Sequence, residues 1–146
     1  MADEIRTAVV DTMVFSWCLV AQPSETGRRY AHHLLGRTLV LAAQTVAELR
    51  YGARARSWGQ QRRVALEVRI ARLKVAGVDD RLTTTYAELK DDCIRTGHAL
   101  GQKLHDGDRW IAATAIRYGI PLISDDSIFC NAPRLQLITE LKNITG

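Results

Sequence analysis

Apolar residues along this chain fall into short runs separated by longer stretches of helical period, the pattern of a parallel sheet covered by helices. Thr7 to Val10 is β-branched and apolar, ends at Asp11, and predicts a buried strand. Glu25 to Leu35, after Pro23 and Ser24 and closed by Gly36, predicts a helix, and Thr38 to Leu41 a second strand. Gln44 to Ala55 predicts a helix that buries Val46, Leu49 and Ala53, with Gly52 costing roughly 1 kcal/mol against Ala. Gly59 separates it from a helix over Gln60 to Leu73, in which Val64, Val68 and Ala71 recur at the spacing of one buried face. Lys74 to Ala76 reads as a marginal strand, and Leu82 to Thr96 as a helix with Asp79 and Asp80 at its positive end and Gly97 at its close. After a looser stretch bracketed by Gly101 and Gly107, Asp108 precedes a compact helix over Trp110 to Ile116, closed by Gly119. Pro121 to Ser124 runs as a strand into Asp125 and Asp126, and Leu135 to Ile138 forms the last, giving about five strands alternating with helices in an α/β fold.

Composition narrows the class. The 146 residues are 47% hydrophobic and 25% charged, which fits one globular domain over residues 1–146 with a core of its own. The odd, widely spaced Cys18, Cys93 and Cys130 exclude both a disulfide framework and a thiolate zinc site, and point to a reducing, cytoplasmic setting. The apolar run from Val9 to Ala21 is broken by Asp11 and preceded by Asp3 and Glu4, unlike a signal peptide, and no run is long enough to span a membrane. Charge is segregated: between residues 50 and 74 eight cations face one acid, Glu67, a local net of +7 that leaves −3 of the formal +4 for the rest. Such a stretch is either the footprint of a polyanion binder or a solvated helical face.

Acidic residues mark the ends of the predicted strands. In an open parallel sheet ligands bind beyond the carboxyl ends of the strands where strand order reverses, and Asp11 and the pair Asp125 and Asp126 end strands there. Asp108 starts a helix and Glu48 lies within one. Carboxylates gathered in one cleft repel one another unless a divalent cation neutralises them, and oxygen-only ligands suit Mg²⁺ or Mn²⁺. Each acid also has a plainer reading: Asp11 and Asp108 as helix or turn caps, Asp125 and Asp126 as an Asx-turn. Glu48 resists a local ion pair, because Gln44, Thr45, Tyr51 and Gly52 at helical spacing carry no cation. His32, His33, His98 and His105 show no metalloprotease spacing and read as surface or structural.

Four segments taken in order, Val9-Val10-Asp11-Thr12, Ala47-Glu48-Leu49-Arg50-Tyr51-Gly52-Ala53, Asp108-Arg109-Trp110-Ile111-Ala112-Ala113-Thr114-Ala115 and Gly119 to Phe129, resemble PIN-domain ribonucleases. More narrowly the chain resembles VapC toxins of bacterial VapBC toxin–antitoxin modules. The resemblance implies a PIN-like three-layer α/β/α sandwich with a five-stranded parallel sheet, and an endoribonuclease that uses one or two Mg²⁺ or Mn²⁺ ions and leaves 5′-phosphate and 3′-hydroxyl ends. It assigns the catalytic and metal-holding acids to Asp11, Glu48, Asp108 and Asp126, the last by its spacing to Phe129, with Asp125 as an alternate and Asp106 as an extra acid near Asp108. Thr12 takes the place of a hydroxyl residue that orients the first acid or holds a water. Met13 departs from the Asn common at that position.

The arginines Arg50, Arg54, Arg56, Arg62 and Arg63 would meet the RNA backbone or a cognate VapB-type antitoxin that blocks the acidic crevice. Phe15 and Trp17 read first as core, with contact to the antitoxin or to a second copy in a homodimer as their other use. The expected substrate is a structured RNA such as tRNA or rRNA, and no membrane partner is expected. Two rivals stand beside this reading. A haloacid-dehalogenase-like phosphatase would use Asp11 as nucleophile but needs an acid at Met13, and a non-catalytic PIN-like domain would bind RNA or a partner without cutting.

Overall fold

The structure, a computed structural model, describes residues 6–142; Asp3 and Glu4 of the acidic start lie outside the described residues. Five strands, β1 (Thr7–Val10), β2 (Thr38–Ala42), β3 (Lys74–Ala76), β4 (Leu122–Ile123) and β5 (Leu137–Ile138), form one sheet in the order β3-β2-β1-β4-β5, with every pairing parallel. Parallel neighbours need crossovers, which the helices supply: α1 (Thr12–Trp17), α2 (Glu25–Leu34), α3 (Ala43–Ala55), α4 (Gln60–Ala71), α5 (Asp80–Thr96) and α6 (Asp106–Tyr118). The chain winds outward from β1 through β2 to β3 and then returns to lay β4 on the other side of β1. Strand order therefore reverses between β1 and β4, where Asp11 and Ser124-Asp125-Asp126 emerge.

Alternation along the strands divides the core into two layers. Ala8, Val10, Leu41 and Ile123 point to one face and pack with Val14, Phe15, Tyr30, Val46, Leu49, Leu66 and Ile70 of α1 to α4. Val9, Val40, Ala42 and Leu122 point to the other, against Leu82, Leu89, Cys93, Ile111, Ala112 and Ala115 of α5 and α6. The α/β/α sandwich is thus built by a period of two in the sheet. Phe15 is core, as expected, and among the described residues no helix is long and apolar enough to cross a membrane.

Two features depart from the expected pattern. Residues 12–22 carry no clear period, yet Asp11 starts α1 by accepting the Val14 N–H at 2.8 Å. On α4 the buried residues are Leu66 and Ile70, whereas Val64, Val68 and Ala71 are exposed. Both sets have helical spacing; the larger side chains take the core because they remove more apolar area from water.

The largest buried side chain is Arg109 of α6, 1% exposed. Its Nη1 donates to the Leu100 and Gln102 carbonyls at 2.9 and 2.5 Å, and its Nη2 to Tyr86 Oη and Asp106 Oδ1 at 3.2 and 3.0 Å. Tyr86 in turn donates to Asp106 and stacks on Trp110, so this knot locks α5, the turns at Ala99–Gly101 and Lys103–His105, and the start of α6. Arg109→Ala strands the buried Leu100 carbonyl and leaves a cavity where the side chain packed, and is expected to cost about 3–5 kcal/mol in urea unfolding. An undiminished midpoint would contradict the knot's role.

Candidate active site

The four acids assigned above come from four separate elements and line one cleft of about 510 Å³ at the reversal point of the sheet. Asp11 follows β1, Glu48 lies in α3, Asp108 in the first turn of α6, and Asp126 in the loop after β4. Asp11 is 4% exposed and both its oxygens are held: Oδ1 accepts from Val14 N, and Oδ2 accepts from Ser124 Oγ. Asp11 is thus both a cap and a cleft acid, two readings that residue type alone leaves as alternatives. Burial pushes its carboxyl from the ordinary 3.8 up to about 6, against the hydrogen bonds from Ser124 and Val14; the charges of Asp126 and Asp108 add to the rise.

Glu48 is held from both sides. Its Oε2 accepts from Thr12 Oγ1 at 2.5 Å and its Oε1 from Gln44 Nε2 at 3.0 Å. Thr12 thus orients the helix glutamate, not the first acid as its position beside Asp11 suggests, because α1 turns its hydroxyl toward α3. Gly107 brings α6 close to the same carboxylate: a Cβ there would lie 2.9 Å from Gln44 Nε2 and 3.1 Å from Glu48 Oε1. The Asp108 carboxyl is raised by desolvation, opposed by a contact of 3.0 Å between its Oδ2 and His105 Nδ1, and raised further by Asp126 and Glu48. Asp108 is not a cap, since α6 starts at Asp106 and places it within the first turn. Asp126 Oδ1 accepts the Ile128 N–H at 3.0 Å, the anticipated Asx-turn.

Asp125 and Asp106 stand outside the cleft. Tyr30, 1% exposed, donates to Asp125 Oδ1 at 2.7 Å on the α2 side of the sheet, and Asp106 is engaged by Tyr86 and Arg109. Ser124 and His105 are the partners that sequence reasoning missed. Ser124 Oγ donates to Asp11 and accepts the Asp126 N–H at 3.0 Å, so one buried hydroxyl sets the spacing of two cleft acids. A serine directly before the acidic pair, at the end of a buried strand, was the available signal.

The arginines divide between two flanks of the α3–α4 hairpin. Arg56 borders the acidic cleft, and Arg56 and Arg62 line the groove beside it. Arg50, Arg54 and Arg63 line a separate hollow on the far side, where Arg50 pairs with Glu67 at 2.9 Å. Among the described residues no three His, Cys, Asp or Glu side chains are gathered into a group that could hold a metal ion as they stand. Each cleft carboxylate is held by its own protein donor.

Residues 8–135 match the family model of the PIN domain. The chain belongs to the PIN-domain family. It is 32% identical over 136 residues to the VapC ribonuclease Y4jK of Sinorhizobium fredii, covering 89% of this chain and 94% of that protein. It is 29% identical to ribonuclease VapC5 of Mycobacterium tuberculosis over 88% of this chain and 90% of that one. This PIN domain therefore falls among the VapC ribonucleases. Its fold matches that of VapBC2 from Rickettsia felis, solved with a promoter DNA fragment, at a TM-score of 0.75 and 22% identity over 91% of this chain and 98% of the other. VapBC-5 from Mycobacterium tuberculosis aligns at a TM-score of 0.65 and 26% identity, covering 92% of this chain and 98% of that one.

Proposed function

We propose that this chain is the toxin of a type II toxin–antitoxin module, an endoribonuclease that hydrolyses phosphodiesters of a structured RNA such as tRNA or rRNA in the cytoplasm and is inhibited by a cognate VapB-type antitoxin. The observation that carries the reading is the convergence of Asp11, Glu48, Asp108 and Asp126 from four elements on one cleft. An oxygen-only donor set in which burial and mutual repulsion resist ionisation fits Mg²⁺ or Mn²⁺, and these four residues would hold one or two such ions. When bound, the ions supply charge neutralisation and acidify the attacking water.

The chain's own residues set the stage. Ser124 fixes Asp11 against Asp126, Thr12 and Gln44 aim Glu48, and His105 holds Asp108. Arg56, at the cleft border, meets the RNA backbone. The antitoxin covers the acidic cleft, and two copies of the chain form a homodimer. A phosphatase nucleophile is disfavoured at Asp11, because both its oxygens already accept hydrogen bonds and residue 13 is an exposed methionine.

End-labelled total RNA incubated with the antitoxin-free protein is expected to give discrete fragments with Mg²⁺ or Mn²⁺, none with chelator, and none after the antitoxin is added. No cleavage by folded protein with either metal would overturn the reading. Ser124→Ala is expected to lower the cleavage rate by roughly 10–100-fold, as loss of a partner behind a metal-holding carboxylate does. A rate equal to the unmodified protein would remove Ser124 from the machinery.

A further inference from the structure

Between α1, α3 and α4 runs a groove of about 680 Å³ that is continuous with the acidic cleft: Thr12, Ser16, Trp17, Glu48 and Arg56 border both. Trp17, Leu19, Leu49, Trp58 and Leu66 give it apolar walls, while Arg56, Arg62 and Arg69 line it against a single acid, Glu48, at the junction. None of these three arginines forms an ion pair with a described residue, unlike Arg50 on the far flank. Arg62 lies 4.2 Å above the Trp58 ring, Arg69 donates to the Cys18 carbonyl at 3.3 Å, and the Arg56 side chain has no hydrogen-bond partner among the described residues.

We propose that this groove seats a nucleobase of the single-stranded RNA flanking the bond to be cut, packed against the stacked Arg62–Trp58 pair, while Arg56 holds the phosphate that joins it to the acidic cleft. The assignment rests on the ribonuclease reading and names the subsite that reading lacks. A nucleobase offers flat apolar faces to an indole and is linked to its neighbour by a phosphate, so a ligand for this groove must carry both chemistries in series. The groove presents both, Trp58 and Arg62 in its body and the guanidinium of Arg56, free of ion pairs, at its junction with the cleft. Aromatic stacking is tolerant of base identity, and unpaired arginines track a backbone. Trp110 lies elsewhere, stacked on Tyr86 at 4.0 Å, so Trp17 and Trp58 are the indoles that report on this groove.

The test needs no cleavage. With chelator present, a short single-stranded oligoribonucleotide is titrated into the full chain while tryptophan fluorescence is followed, beside an oligomer of the same backbone with abasic riboses. The base-bearing oligomer is expected to quench the emission and to bind roughly tenfold more tightly than the abasic one. Trp58→Leu brings the two affinities together, Trp58→Phe keeps the gap, and Arg56→Ala weakens both oligomers alike and reduces the salt slope by about one phosphate. Thermal melts confirm that each variant is folded; if Trp58→Leu is not, the abasic comparison on the unmodified chain and Trp58→Phe still decide.

Equal affinity for the base-bearing and abasic oligomers overturns the proposal. So does base dependence that survives Trp58→Leu, and so does loss of antitoxin affinity in that variant with base dependence unchanged, which would give the groove to a protein partner. RNA cleavage without base-dependent binding removes the subsite and leaves the ribonuclease. Base-dependent binding without cleavage supports the subsite and removes the ribonuclease.

Discussion

Asp11→Asn abolishes metal-dependent RNA cleavage while the protein stays folded. The substitution is isosteric, and the retained carbonyl oxygen still accepts the Val14 N–H that starts α1. The amide side can donate to Ser124 Oγ in place of the bond now made by the hydroxyl. What disappears is the most buried negative charge of the cleft. Charge stabilisation by a divalent ion in a cleft of this kind contributes several kcal/mol to the transition state, so the expected loss is about 10³-fold or more in rate. The check is cleavage of the RNA fragment pattern by variant and unmodified protein at equal concentration, with circular dichroism of both. Turnover within tenfold of the unmodified protein would remove Asp11 from the catalytic set.

The same substitution is expected to stabilise the metal-free protein above neutral pH. Asp11 titrates near 3.8 when the chain is unfolded, whereas burial raises it to about 6 in the fold. A carboxyl with a raised folded-state pKa binds its proton more tightly in the native state, so its stabilising contribution is full below about pH 4 and is lost as pH rises through about 6. The shift corresponds to about 3 kcal/mol. For a chain of this size that is roughly 6–12 °C in Tm. In chelator, the unmodified protein should lose this stability between pH 4 and 7, and Asp11→Asn should not. Divalent metal should restore it to the unmodified protein alone, since only an ionised carboxylate offers the ion a charge. Parallel melting curves for the two proteins across this range would refute the assignment of the shift to Asp11.

These expectations show where local pattern suffices. β1 forms over the residues its composition marks, because a β-branched apolar run flanked by polar residues has few other places to go. The ends of α5 and α6 fall at Gly97 and Gly119, whose φ of +72° and +64° favour a residue without Cβ. Val46, Leu49 and Ala53 bury as a single apolar stripe should. Where a helix has two apolar stripes, as α4 does, spacing cannot choose between Val64 with Val68 and Leu66 with Ile70; the partner surface does. α1 escapes periodicity altogether, being one and a half turns long and started by an acid that also serves the cleft.

The alternating α/β plan and the acids that end strands or open helices follow from period, caps and breakers within a few residues of one another, and the family follows from four segments whose order and spacing survive without coordinates. Which acids share a cleft is settled in three dimensions. Asp125 and Asp126 are adjacent, yet one is drawn to Tyr30 from α2 and the other lines the cleft; Asp106 and Asp108 are separated likewise by Arg109 and His105. Neighbours in sequence project to different sides of a strand end or helix turn; Arg109 and His105 act from three residues away, but Tyr30 lies 95 residues from Asp125 and Ser124 113 residues from Asp11, separations no local pattern encodes.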